Sequence, residues 1–402
     1  METFPEEKEK AVCGDTFAVH ANATAKCVPV LLRDTCGVIL DHIKKCDEAL
    51  LAKIVVNLDL NILLGGENEK PVEWLEKAER QELAVKIAKE CLRFKDILSQ
   101  NGELLGELGS KTADFLNEKL AHLNKILNNE FKISSEHDAV KISLVTKHKK
   151  GSYRIACVVG HVATYRVHGD KMDFGYNPNV ITTDNFVWAI YNQTGCTPDP
   201  VSLPDMMQQF HQDYDFFPSK LIYDRAAGTG KWVAKIKEAT DGVTRLSVRL
   251  IGYSKQPDRY RPQDFTLSED GSTLTCPAGK STTRKYLYHN GEGHLFRFPP
   301  SLCADCNKAK DCRGKGKSTK TRRDVFISFY YFDVKETLAY SKTDEFKNDI
   351  KFRSQVERVI AGLVLHNGAR RAYSRGLKKV DYQLKMNAVA YNAKRWALCR
   401  PQ

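Results

Sequence analysis

A long block of helical periodicity with β-rich segments on both sides restricts most strongly what this chain can fold into. Across residues 26–136, apolar side chains recur at intervals of three and four, with Glu and Lys between them. Residues 11–21 before the block and residues 152–194 after it are rich in β-forming side chains. The pattern predicts an α/β fold in which a helical segment separates the first strand from the later strands.

Composition favours a protein that binds a polyanion and gives no sign of a membrane or secreted protein. The chain has 402 residues, enough for two or three domains, and its net charge of +12 favours a polyanionic partner such as nucleic acid. Eight of its twelve cysteines are scattered singly, which is typical of a reduced, cytoplasmic protein. No apolar run approaches the roughly 20 residues of a membrane span, and the N-terminus lacks the apolar segment of a signal peptide. The sequence therefore predicts no membrane association.

Residues 351–396 combine an amphipathic helix with a dense basic turn. One apolar stripe holds Phe352, Val356, Val359, Ile360, Leu363 and Val364. Glu357 lies beside this stripe, and Asn367-Gly368 closes the helix. A connector crowded with basic residues follows, before a second helix from about residue 382: Arg370, Arg371, Arg375, Lys378 and Lys379. A carboxylate at a core edge followed by basic residues suits a metal ion acting on a phosphodiester. The alternative is an i, i+4 salt bridge between Glu357 and Arg353 on a solvated surface.

The order of residues in this stretch resembles the C-terminal signature of the DDE transposases of bacterial insertion sequences. The matching elements are VER, then NGARR, an RG-x-x-K turn, a Gln and A-x-N-A-K-R. The resemblance implies that Glu357 is the third catalytic carboxylate. D-T-F followed by H-A-N-A near the N-terminus is similar to the first conserved Asp of that family, which here is Asp15. The implied fold is an RNase H-like mixed sheet flanked by helices, interrupted by a helical insertion and a Cys-rich insertion.

The segment KLIYD, followed by Arg225 and the loop AAGTGK, carries the second carboxylate that the resemblance implies, Asp224. This Asp ends a compact apolar strand, and the carboxyl ends of buried strands are where such sites form. Arg225 follows it directly and is a candidate phosphate contact. The loop could also be read as a phosphate-binding P-loop, but Lys231 is followed by Trp232 and the required spacing is absent.

The two insertions expected in the RNase H-like core divide the chain into five predicted segments. Residues 1–25 hold the first strand, expected over residues 11–21, and residues 26–140 the helical insertion. Residues 141–253 hold the core strands with the second carboxylate. Within them, the segment TGCTPD that ends at Asp199 resembles part of the core strands, residues 204–214 are expected to form a short helix and residues 243–253 one more strand. Residues 254–324 form a Cys-rich basic insertion, and residues 325–402 contribute the last strand and helices of the core.

Four cysteines gather within the Cys-rich insertion with the spacing C-x26-C-x2-C-x5-C: Cys276, Cys303, Cys306 and Cys312. Four thiolates with one close C-x2-C step suit a tetrahedral structural zinc site, and the alternative is reduced, unliganded thiols. Basic residues follow the cluster, among them Lys315, Lys317, Arg322 and Arg323. They predict either a contact with the DNA backbone, which we favour, or a solvated flexible surface.

The resemblance implies a metal-dependent reaction on DNA. Asp15, Asp224 and Glu357 would hold two Mg²⁺ or Mn²⁺ ions, which suit hard oxygen ligands and phosphoryl transfer. The protein would cleave double-stranded DNA at element ends and join the freed strand to target DNA, as a homo-oligomer. The alternative is a truncated or domesticated relative that binds DNA without cutting it. Two departures from the family pattern motivate that alternative: the chain begins almost at the first strand, and Gly160, His161 and Val162 replace an Asp-Pro-Glu arrangement.

Overall fold

The computed structural model describes residues 4–136, 139–146, 151–252, 259–289, 291–313 and 322–399. Within these residues the protein is a mixed α/β structure, which confirms the fold class at this level. None of the helices in the described part of the chain is both long enough and apolar enough to span a membrane.

The N-terminal part contains two short strands and then a helical unit. Its elements are β1 (Val12–Thr16), β2 (Val19–His20), α1 (Val28–Cys46), α2 (Glu48–Val55), α3 (Leu60–Leu64), α4 (Lys77–Gln100), α5 (Gly102–Glu107), α6 (Ser110–Glu130), β3 (Phe131–Glu136) and β4 (Ala139–Leu144). The six helices enclose a core of their own around Ile39, Ile87 and Phe94, which are fully buried. Asp47 and Asp59 cap α2 and α3 by accepting hydrogen bonds from backbone N–H groups, which fixes where these helices begin.

The central part supplies most of the principal sheet. Its elements are β5 (Thr164–His168), β6 (Lys171–Tyr176), β7 (Asn179–Thr182), β8 (Val187–Tyr191), α7 (Leu203–Tyr214), β9 (Lys220–Ile222), α8 (Gly230–Ala239) and β10 (Arg245–Ser247). Five strands pair in the order β10-β9-β1-β7-β8. The strands β9 and β10 run parallel to β1, whereas β7 pairs antiparallel with both β1 and β8. The first strand of the chain is therefore the central strand of this sheet.

The C-terminal part begins with small sheets and ends with helices. Its elements are β11 (Thr266–Leu267), β12 (Leu274–Thr275), β13 (Ser281–Thr282), β14 (Lys285–Leu287), β15 (Gly293–Phe298), α9 (Pro300–Cys303), α10 (Ala309–Arg313), β16 (Arg323–Ser328), α11 (Tyr331–Tyr340), α12 (Asp344–Phe352), α13 (Ser354–His366) and α14 (Leu377–Cys399). Phe265, Phe296 and Phe298 form a separate small core beneath β15 and β16.

Helices cover both faces of the principal sheet. Side chains alternate along β1, so this strand contributes to the core on each face. Cys13 points into a core shared with Val359 and Leu363 of α13 and with Leu384 of α14. Val12 points to the opposite face, into a core built largely by α7 and α8. Two packed layers therefore hold β1 in place.

Three extents predicted from the sequence were wrong. Residues 11–21 form two short strands, because the chain leaves the principal sheet after β1 and β2 pairs with β6 instead. The strand predicted over residues 243–253 shortens to β10, since its neighbour β9 offers only three residues to pair with. The apolar stripe from Phe352 divides between two helices, with α12 ending at Phe352 and α13 beginning at Ser354.

Candidate active site

Two of the predicted carboxylates lie at the same edge of the principal sheet. The last residue pair between β1 and β9 joins Cys13 to Ile222, and Asp15 and Asp224 each come two residues later. Because the two strands are parallel, this register brings both side chains to one edge. Asp224 then caps a short 3-10 turn by accepting a hydrogen bond of 2.8 Å from the backbone N–H of Ala226.

The carboxylates lie in one another's electric field. Burial raises the pKa of Asp15 to about 6, and the charges of Asp224 and Asp199 add to the shift. Burial also raises the pKa of Asp224, and the charge of Asp199 contributes there as well. Hydrogen bonds from backbone N–H groups and the positive charge of Arg353 oppose both shifts. The edge thus concentrates negative charge that a cation would stabilise.

Arg353 connects the third predicted carboxylate to this edge. Its Nη2 lies 3.0 Å from Oδ2 of Asp15, and its Nη1 lies 3.7 Å from Oε1 of Glu357. Arg353 occupies the junction between α12 and α13, so its position depends on how the two helices meet. The side chain of Glu357 is 64% exposed, whereas that of Asp15 is 17% exposed. The i, i+4 pair that formed the alternative interpretation of Glu357 is therefore present, and the same arginine also binds Asp15.

The three predicted carboxylates do not close into a tight ligand set. In the described part of the chain, three ligating side chains lie within 4.8 Å of one another only at Glu118, His122 and His161. The sheet edge instead borders a cavity of about 420 Å³, whose lining includes Asp224, Arg225, Arg249 and Arg353. A carboxylate beside three guanidinium groups forms a surface on which a phosphodiester could bind.

Asp199 is a carboxylate near this edge that the sequence reasoning did not assign to the site. Its Oδ1 accepts a hydrogen bond of 2.7 Å from Nδ2 of Asn177, whose Oδ1 in turn accepts one of 2.7 Å from Nε of Arg166. Arg166 also lies 3.3 Å from the hydroxyl of Thr16, next to Asp15. The signal in the sequence is the Asp that ends TGCTPD, a segment whose pattern predicts only a part of the core strands.

Gly14 allows a buried tyrosine to pack directly against the carboxylate-bearing strand. A Cβ atom at this position would lie 2.7 Å from the ring of Tyr223. The Tyr223 hydroxyl donates a 2.7 Å hydrogen bond to Oδ1 of Asn179, whose Nδ2 donates to the backbone carbonyl of Asp199. A glycine and a tyrosine beside the two Asp residues therefore fix the spacing of β1, β7 and β9.

The predicted DNA contacts have different environments. Arg225 is exposed and lines the cavity beside Asp224. Arg370 and Arg375 are exposed, but each donates a 3.0 Å hydrogen bond to a backbone carbonyl, of Ala18 and Asn22 respectively. These two arginines therefore also tie the basic turn to the loops on either side of β2.

The remaining predicted contacts lie elsewhere on the basic turn and in the Cys-rich insertion. Arg371 and Lys378 are exposed. Arg322 forms an ion pair with Asp324, with 3.2 Å between Nε and Oδ2, and Arg323 donates to the backbone carbonyl of Tyr260. Lys315 and Lys317 lie outside the described residues.

The four clustered cysteines surround one small cavity of about 20 Å³, whose lining also includes Arg313 and Arg323. Each half of the cluster has a tight turn. The backbone N–H of Gly279 donates to the carbonyl of Cys276, and that of Cys306 donates to the carbonyl of Cys303. Sulfur ligands presented by two turns fit the chemistry of structural zinc, although no three of these thiols lie within 4.8 Å of one another. Burial raises the pKa of the Cys312 thiol, and the guanidinium of Arg323 beside it opposes that rise.

Carboxylates at the ends of adjacent strands, beside a basic cavity, are an arrangement that suits a protein acting on phosphodiesters. Comparison with known families makes the class of protein more specific. Residues 275–397, somewhat under a third of the chain, match the family described as a transposase DDE domain. The match confirms the recognition of a DDE-type transposase made from the sequence. It includes α13 with Glu357, the basic turn and the four clustered cysteines, whereas Asp15 and Asp224 lie outside it. No curated protein and no solved structure matches the chain significantly.

Proposed function

We propose that the protein is a transposase that cleaves DNA at the ends of its element and joins the freed strand to target DNA. The observation that carries the proposal is the placement of Asp15 and Asp224 at the same end of two adjacent parallel strands, with Arg353 joining Asp15 to Glu357. The strand order supports an RNase H-like core. Numbered along the chain, the five strands of the principal sheet lie in the order 3-2-1-4-5, with the fourth and fifth parallel to the first.

The proposed ligands of a pair of Mg²⁺ or Mn²⁺ ions are the three carboxylates. Asp15, Asp224 and Glu357 offer hard oxygen ligands. Burial is the main cause of the raised pKa of both Asp residues, and the nearby negative charge of Asp199, which a cation would offset, adds to it. When bound, such ions activate the attacking oxygen and stabilise the charge on the leaving oxygen. The Arg353 guanidinium neutralises part of the same charge, so it would keep Asp15 and Glu357 close to each other.

Other residues of the chain would bind and orient the DNA. Arg225 and Arg249 line the cavity beside Asp224 and are exposed, so they can contact phosphates on either side of the cleaved bond. The four cysteines would hold a structural zinc ion, and the ordered insertion would present Arg322 to the DNA backbone. We also propose double-stranded DNA as the partner and a homo-oligomer as the active assembly, because two element ends must be held together.

The test of this function is strand cleavage of a labelled duplex that carries the DNA flanking the reading frame, with Mn²⁺ or Mg²⁺. We expect a nick at the element boundary that depends on the metal. DNA binding with no nick under any metal condition would refute the transposase activity and favour the second candidate, a relative that binds DNA without cutting it. Residues 160–162, where the family signature is absent, motivate that candidate.

Binding of Mn²⁺ at the carboxylates should depend on pH through Asp15. The pKa of Asp15 is raised to about 6, so the side chain is charged above that pH and protonated below it. Because the metal must displace the proton, Mn²⁺ affinity should fall by about tenfold for each pH unit below 6. The measurement is the Mn²⁺-induced shift in melting temperature of the protein without DNA between pH 5 and 8. The lower limit is about one unit below the pKa of Asp15, and the upper limit is about two units above it. A shift of equal size at both limits would contradict this assignment, as would an unchanged shift in Asp15→Asn at pH 8.

Arg225 should contribute one phosphate contact. Replacing it by alanine removes one guanidinium from the cavity beside Asp224, so the slope of log affinity against log salt concentration should decrease by about 1. Fluorescence anisotropy over a series of salt concentrations measures this slope. Lys77→Ala is a matched control, because Lys77 is an exposed cation at the start of α4 in the helical unit. Equal slopes for wild type and Arg225→Ala would rule out the contact.

A further inference from the structure

Three potential metal ligands converge at a place that the proposed reaction does not use. Glu118 and His122 are four residues apart on α6, and His161 lies in the turn before β5. One ligand atom from each of these side chains lies within 4.8 Å of the other two. The two imidazole rings are 4.3 Å apart between centroids, and Nε2 of His122 lies 3.9 Å from Oε1 of Glu118.

The histidines are prepared for ligation. Nδ1 of His122 is buried and has no hydrogen-bond partner among the described residues, which costs free energy unless another group binds there. Burial lowers the pKa of His122 to about 4 and also lowers that of His161, so both rings are neutral near pH 7 and carry a free lone pair. The backbone of Val158 hydrogen-bonds His161, an interaction that orients a ligating imidazole.

The backbone positions all three ligands without the help of a metal. The helix α6 places Glu118 and His122 on one face, one turn apart. The backbone N–H of Ala163 donates a 2.9 Å hydrogen bond to the carbonyl of Gly160, which closes the turn that presents His161. A Cβ atom at Gly160 would lie 3.1 Å from Cβ of Ala23, so the turn packs closely on the chain that enters the helical unit.

The cluster also joins two cores. Ile155 and Val158 pack into the core of the helical unit, whereas Ala163 packs into the core beneath the principal sheet. His161 lies between them in the sequence. A metal ion held by α6 and this turn would therefore fasten the helical unit to the sheet that carries Asp15.

We infer that Glu118, His122 and His161 form a binding site for a divalent ion of the zinc class, distinct from the carboxylates of the proposed active site. Two imidazole nitrogens and one carboxylate oxygen suit Zn²⁺, Co²⁺ or Ni²⁺ and do not suit Mg²⁺, which prefers oxygen ligands. Three protein ligands leave one coordination position for water. Lys119 competes for the carboxylate, because its Nζ lies 2.7 Å from Oε1 of Glu118.

The experiment uses the full chain without DNA, stripped by a chelator and titrated with Co²⁺. Absorption by cobalt d–d bands without sulfur charge transfer reports a nitrogen and oxygen site, whereas charge transfer from thiolates reports the four cysteines. We expect His122→Gln and His161→Gln to lose the first signal, with affinity reduced by more than about 100-fold, since even groups that only support a ligand contribute about 10–100-fold. His42→Gln is the control, because His42 belongs to the same helical unit and stacks on Phe115.

Lys119→Met tests the same site through an expected gain of Co²⁺ affinity instead of a loss. Removing the competing ammonium should tighten binding of Co²⁺, an effect that a purely structural role for the cluster would not produce. The inference is overturned if both histidine variants bind Co²⁺ like the wild type, or, where they fail to fold, if Lys119→Met leaves the affinity unchanged. Because DNA cleavage is not the readout, these outcomes are independent of the proposed transposase activity.

Discussion

Replacing Asp224 by asparagine should reduce metal-dependent DNA cleavage by about 10³-fold or more and leave DNA binding intact. The carboxylate that the exchange removes lies beside Asp15 at the sheet edge, where it is proposed to bind the divalent ions. Such ions stabilise transition-state charge by several kcal/mol, and each 1.36 kcal/mol changes the rate about tenfold. The neutral amide keeps the shape of the side chain and one oxygen that can accept from the backbone N–H of Ala226. The measurement is the single-turnover rate of nicking with Mn²⁺, together with DNA affinity from anisotropy.

A matched control separates loss of a ligand from loss of negative charge. Asp213 lies on α7, is exposed and accepts a hydrogen bond from Gln209 one turn away. Asp213→Asn should cleave at the wild-type rate. Cleavage by Asp224→Asn within about tenfold of wild type, a change of only 1.36 kcal/mol, would exclude Asp224 as a metal ligand. Loss of DNA binding in the same variant would instead assign Asp224 to the fold of the edge.

Local sequence pattern was sufficient to predict features that lie within a single helix, strand or turn. The helix predicted over residues 204–214 is confirmed as α7, and the glycine predicted to close the helix after Glu357 has a φ of 74°. The apolar segment before Asp224 forms β9, although only Lys220–Ile222 pair as a strand. These features depend on neighbours within a few residues, so periodicity and turn chemistry describe them.

Contacts between residues that are far apart in the chain cannot be predicted from local sequence pattern. The sequence placed Arg353 one turn from Glu357 as an ordinary ion pair, but Arg353 also binds Asp15, 338 residues earlier in the chain. The hydrogen bond between Asp199 and Asn177 and the approach of His161 to His122 depend likewise on how separate elements pack. No short-range pattern encodes these distances. The domain limits predicted from the sequence remain a prediction.

One buried acid determines how the helix that carries Glu357 meets the sheet. Asp349 lies on α12, and its carboxylate is the acceptor for three side chains. Lys220 of β9 donates at 3.0 Å, Ser247 of β10 at 2.7 Å and Tyr340 of α11 at 2.5 Å. Four elements therefore meet at one carboxylate, four residues before Arg353. Arg353 and α13 follow directly from α12, so this network also sets the approach of Arg353 to Asp15.

Asp349→Ala should lower the free energy of unfolding by about 3–5 kcal/mol, because it leaves a partly buried ammonium and two buried hydroxyls without their shared acceptor. Lys220 keeps its contact with Glu345, which places the effect toward the lower end of that range. Denaturant titration measures the loss, and Asp344→Ala is the control. Asp344 also lies on α12 and also pairs with a lysine, Lys347 at 2.7 Å, but its side chain is 90% exposed, so its removal should not change stability measurably. Equal stability of the two variants would show that the buried carboxylate does not hold α12 on the sheet. If it does hold α12 there, Asp349→Ala should also slow DNA cleavage at temperatures where the variant is folded, because Arg353 and Glu357 lose their fixed approach to Asp15.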